Sequence, residues 1–133
     1  MHVPVLPFER LLLSSDLLAV GMHRLPADHP QFESYGPASS FLLVFPRNST
    51  LIEHSSGERF VGSPAVATLY NRGQEYRRRS IGGEGDDCDW FSIAPVALRE
   101  IVSRYDPAAA ESDQPLRFSH VRVEPRLYLR QRR

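Results

Sequence analysis

Apolar positions along this chain recur mostly with a period of two, in short runs separated by turn-forming residues. A period of two puts alternate side chains on opposite faces of a strand, so the pattern predicts many short strands. The candidates are 17–25, 41–45, 50–54, 59–61, 65–70, 75–81 and 88–93. Pro26-Ala27-Asp28-His29-Pro30 breaks the chain after the first, Asn48-Ser49 turns it into the third, and Ser55-Ser56-Gly57 makes a hairpin turn. The run Phe41 to Phe45 is apolar on both faces and predicts a strand covered on both sides. Asn71-Arg72-Gly73 is expected to reverse the chain in a tight hairpin, because Asn and Gly tolerate positive φ. Gly82 to Asp86 reads as a flexible acidic loop.

One stretch shifts to a helical period. After Pro95, a residue suited to a first helical position, Leu98, Ile101, Val102 and Tyr105 make one apolar stripe. Glu100 and Arg104 form an i,i+4 pair, and Asp106-Pro107 is expected to end the helix. Residues 108–114 read as a linker and 116–123 as a possible last strand. Pro125 begins a second, short helix of about two turns, below the length at which a helix stands alone. That ending predicts a chain cut from a longer protein, or a helix docked on a partner.

Many short strands at regular turn spacing predict a mainly all-β sandwich or barrel followed by one or two helices. Strand alternation also predicts what lies inside. Ala19, Gly21 and His23 share one face, and Cys88, Trp90, Ser92 and Ala94 share another. Faces that mix small residues with one Trp and a few polar groups suit a ligand cavity better than a tight core.

Composition narrows the class. The chain has 133 residues, room for one hydrophobic core, with 41% hydrophobic and 24% charged residues. Lys and Arg total 16 and so do Asp and Glu, so net charge argues for neither a nucleic-acid nor a membrane partner. No apolar run is long enough to span a membrane, and the first residues lack the pattern of a secretory signal. A single cysteine excludes an internal disulfide and suits a reducing compartment, so a cytoplasmic location is expected.

His23, His29, His54, His120 and Cys88 are possible metal ligands. No two histidines stand at i,i+2 on a strand, where both would enter one cavity, so no metal and no cofactor are expected. Cys88 lies among Asp86, Asp87 and Asp89, whose charges raise a thiol pKa, so it makes a poor nucleophile. No nucleophile elbow or phosphate-binding glycine loop is present, and no catalytic residue is assigned. In Arg77-Arg78-Arg79 the strand period separates Arg78, on the face of Tyr76, from its neighbours. The outer two are placed to pair with the acidic 84–89 segment across a hairpin, and Arg78 to point inward toward a carboxylate or a hydroxyl.

Two stretches are more specific: Leu69 to Arg78 (LYNRGQEYRR) and Gly85 to Phe91 (GDDCDWF), preceded by Gly36-Pro37-Ala38 and Val44-Phe45-Pro46-Arg47. Together they resemble the N-terminal domain of AraC-type transcription regulators, over residues 15–133. The resemblance implies a cupin-like double-stranded β-helix, a jelly-roll barrel followed by one or two C-terminal helices. It implies an arm at 1–16, a barrel at 17–94, and helices with a truncated linker at 95–133. It also implies a small-molecule effector in the barrel, a homodimer, and DNA contact only through a C-terminal helix-turn-helix part absent from this sequence. The ligand-binding residues it points to are Trp90, Cys88, Arg78, Tyr76 and His23, with the apolar arm Val3 to Phe8 able to cover the barrel mouth. The metal-binding cupin pattern and the sugar-binding polar set are missing. The alternatives are a metal-dependent cupin enzyme, such as an isomerase or dioxygenase, and a ligand-free dimerisation module.

Overall fold

A computed structural model describes residues 9–30, 32–33 and 36–132. The arm segment Val3 to Phe8 lies outside the described residues. Among the described residues, nine strands and three helices follow in order: β1 (Glu9–Ser14), β2 (Leu18–Leu25), β3 (Phe41–Pro46), β4 (Thr50–His54), β5 (Arg59–Gly62), β6 (Val66–Tyr70), β7 (Tyr76–Ser80), β8 (Asp86–Ile93), α1 (Pro95–Ser103), α2 (Pro107–Glu111), β9 (His120–Arg122) and α3 (Pro125–Gln131). Every strand pairing is antiparallel. One sheet has the order β1-β2-β8-β3-β6-β9 and the other β5-β4-β7. From β3 onward the chain crosses repeatedly between the sheets, which is the winding of a jelly roll.

That winding corrects two expectations. The turn after Tyr70 is not a hairpin, because β6 belongs to the larger sheet and β7 to the smaller. Gly73 does adopt φ +83°, but no residue other than glycine has positive φ among the described residues. Asn71 instead uses its side chain. Its Nδ2 donates to the Leu116 carbonyl at 2.8 Å and its Oδ1 accepts from the Leu116 amide at 3.0 Å, so it holds the 112–119 segment against the barrel. Asn71→Ala is expected to cost about 1–2 kcal/mol in urea denaturation, because partly buried backbone groups at Leu116 lose their partner. Likewise β7 and β8 are not paired, so Arg77 and Arg79 do not face the acidic segment across a hairpin. The Ser55–Gly57 hairpin does form, joining β4 to β5, with Gly57 at φ +89°.

Residues 9–14, read as part of an arm, form the edge strand β1 on β2, with a register shift between Leu11 and Leu13. The linker at 108–114 contains α2. Asp106 caps it by accepting from the Ala109 amide at 3.2 Å, and Pro107 opens it, so the pair that ends one helix also starts the next. Arg99 fastens α2 to α1 by donating from Nη1 to the carbonyls of Ala110 and Ser112 at 2.6 and 2.8 Å. The stripe on α1 is divided: Leu98 is buried, whereas Ile101 and Tyr105 are exposed. The Glu100–Arg104 pair forms at 3.4 Å in solvent, where such pairs add little.

The outer face of the larger sheet is covered by the end of the chain. Phe45, Ala67 and Val123 form a buried cluster with Leu43, Phe91 and Tyr128 of α3 packed on it. Beside it, Arg47 donates to Asp89 Oδ1 from Nε and Nη2 at 3.0 and 2.7 Å, and Gln131 Nε2 donates to Asp89 Oδ2 at 3.3 Å. The opposite face looks toward the smaller sheet. Among the described residues, no helix is long and apolar enough to cross a membrane.

Candidate functional site

Register places all five sequence-selected residues on inward faces. On the larger sheet His23 stands opposite Cys88 and Gly21 opposite Trp90. On the smaller sheet Arg78 stands opposite Ile52 and Tyr76 opposite His54. His23, Arg78, Cys88 and Trp90 are buried and Tyr76 is half-buried. The space between the sheets therefore receives several polar side chains, with Thr50, Thr68, His54 and Ser92 also buried.

Three of the five form one cluster. Arg78, 2% exposed, donates from Nε to the Phe32 carbonyl at 3.1 Å and from Nη1 to His23 Nε2 at 2.9 Å. The same nitrogen donates to Asp86 Oδ2, and the guanidinium lies 5.1 Å from the Phe32 ring centroid. His23 Nδ1 faces Glu9 Oε1 at 3.3 Å. A guanidinium offers only hydrogens, so Nε2 is the acceptor and Nδ1 carries the proton given to Glu9. Arg78 thus does meet a carboxylate, one supplied by its own chain. Cys88, opposite His23, has its pKa pushed well up, first by burial and then by the Asp86 charge, with Arg78 opposing. It is a neutral thiol near pH 7 and is not activated as a nucleophile.

A second group leaves hydrogen-bonding capacity unused. Trp90 Nε1, Thr50 Oγ1 and His54 Nε2 are buried with no hydrogen-bond partner among the described residues. Trp90 lies over Gly21, where an added Cβ would come within 2.2 Å of its Cζ2. His54 stacks on Tyr70 at 5.2 Å and meets Phe60 edge-on at 5.3 Å. Burial pushes the His54 pKa below its ordinary 6.5; the Glu58 charge opposes this and the His120 charge adds to it. The unfolded chain therefore binds the proton first as pH falls, and stability drops on going below about pH 6.5. Chemical denaturation between pH 7.5 and 5.5 is expected to show this slope, reduced in His54→Gln.

Beside His54 a groove of about 400 Å³ opens at one end of the smaller sheet. Pro37, Glu53, Glu75, Tyr76 and Arg77 are among the residues that line it.

Sequence reasoning passed over Asp86, Glu9, Phe32 and Thr50. Asp86 carried a usable signal: it continues the same-face series of Cys88, Trp90 and Ser92 and is the first residue of β8 rather than the end of a loop. Glu9 and Phe32 reach the cluster only through tertiary structure. Among the described residues, no group of three or more His, Cys, Asp or Glu is arranged to hold a metal ion.

No protein-family model and no curated protein matches this chain. Solved structures do. Apo ToxT from Vibrio cholerae aligns with a TM-score of 0.60 at 10% identity, over 88% of this chain and 46% of its own. The cupin domain of Cnp3 from Schizosaccharomyces pombe aligns with a TM-score of 0.53 at 14% identity, over 74% of each chain. An RmlC-like cupin family protein from Methanocaldococcus jannaschii, described as a double-stranded β-helix, gives 0.50 at 8% identity, over 64% of this chain and 79% of its own. At such identities the likeness shows the fold alone. That fold is a cupin-like double-stranded β-helix followed by short C-terminal helices.

Proposed function

We propose that the chain is a small-molecule-sensing and dimerisation domain of the kind found in AraC-type regulators, without catalytic activity. The observation that carries this is the set of buried, unused polar atoms on the inner faces, Trp90 Nε1, Thr50 Oγ1 and His54 Nε2. Leaving such groups without partners costs about 1–3 kcal/mol each, and a bound polar molecule or ordered water removes that cost. The similarity to ToxT, an AraC-family protein, over most of this chain supports the regulator context. The mechanism is a population shift, in which the effector favours one arrangement of the elements around the barrel.

A thermal-shift screen of polyols, sugars and small organic acids tests the reading. A compound at a hundredfold excess over its Kd adds about 2.7 kcal/mol, or about 10 °C in Tm. Trp90→Ala abolishes the gain while remaining folded, and sedimentation gives twice the chain mass. If no compound shifts Tm and stoichiometric iron, zinc or manganese co-purifies, the reading is wrong and a metal-dependent enzyme replaces it.

A further inference from the structure

The structure assigns a second binding site, for a small zwitterion of the amino-acid class, to the groove beside His54. It borders the inner-face set at His54 and Tyr76, but its charged groups, Glu75 and Arg77, lie outside that set, so substituting them tests it separately from the sensor reading. The groove holds about 400 Å³, the size of a small-molecule site. Its charges are nearly balanced. Glu53 is engaged by Arg59, whose Nε donates to Oε2 at 2.9 Å. Glu75 and Arg77 are exposed, and neither side chain has an ion-pair or hydrogen-bond partner among the described residues. They sit at i,i+2 on β7 and its approach, so both side chains leave the same side of the chain, flanking Tyr76.

One free carboxylate and one free guanidinium on the same wall select against simple ions. A lone anion drawn to Arg77 meets Glu75, and a lone cation drawn to Glu75 meets Arg77. A molecule carrying both an ammonium and a carboxylate satisfies the pair, with the carboxylate taken in the fork of Arg77. Pro37 and Tyr76 offer an apolar wall for the rest of the molecule. The ring of Tyr76 is held by Tyr70, with centroids 4.5 Å apart, and by Gly36, whose added Cβ would lie 3.2 Å from the Tyr76 ring. His54, 5% exposed, lines the groove beside Tyr76.

Calorimetric titration of the full chain with each standard L-amino acid tests this. At least one is expected to bind saturably, and its amide and its N-acetyl derivative to bind about tenfold or more weakly, because each removes one charge. Glu75→Gln and Arg77→Gln, both at exposed positions, are expected to weaken binding by a similar factor while keeping the wild-type Tm. No saturable binding by any amino acid, or undiminished binding in both variants, overturns the site. If binding survives both variants but is lost in Trp90→Ala, the ligand occupies the barrel interior; the groove is then wrong and the sensor reading stands.

Discussion

Arg78→Met is expected to destabilise the fold by about 3–5 kcal/mol, lowering Tm by about 10–20 °C. The reason is the position of the charge rather than the number of bonds. Arg78 is 2% exposed, and the carboxylates of Asp86 and Glu9 reach its cluster at 13% and 10% side-chain exposure. Removing the guanidinium leaves the nearly buried Asp86 carboxylate without its cation and deprives His23 Nε2 and the Phe32 carbonyl of their donor. Arg78→Lys keeps the charge but not the fork that serves three acceptors, so it should fall between wild type and Arg78→Met. Urea denaturation reads both. A loss under about 1 kcal/mol for Arg78→Met would show that the cluster does not hold the sheets together.

Gly21→Val is expected to cost about 3 kcal/mol or more. A Cβ at Gly21 would lie 2.2 Å from Trp90 Cζ2 and 2.8 Å from the Arg10 carbonyl, so either the indole or strand β1 must move. The two causes separate in a double-mutant cycle. If the indole is the obstacle, Trp90→Ala relieves most of the penalty and a coupling of about 1–3 kcal/mol appears. If the β1 backbone is the obstacle, the penalties add. The close approach also explains why the inner face needs a glycine here: the indole occupies the volume that the missing side chain leaves.

The fold was legible wherever the signal was local. Alternation along β2, β7 and β8 identified the inward residues, Ser55–Gly57 marked the β4–β5 hairpin, and proline at the first position marked α1 and α3. What alternation does not carry is which strands pair. Sheet partners are chosen by backbone hydrogen bonds that every residue but proline can make, so β6, β7 and β8 looked like successive hairpins although each turn crosses between sheets. The same blindness hid the partner of Arg78. Its inward direction followed from its place beside Tyr76, but its carboxylate came from Asp86, brought near only by the crossing. The α1 stripe misled for a different reason: periodicity marks an apolar face without saying what covers it, and only Leu98 is buried.

If the space between the sheets is a recognition surface, the single tryptophan reports on it directly. The decisive measurement is Trp90 emission during titration with a compound that raises Tm. A ligand in that space gives a saturable change in emission with the same Kd that the thermal shift gives. Binding with the indole emission unaltered would place the ligand elsewhere and contradict it.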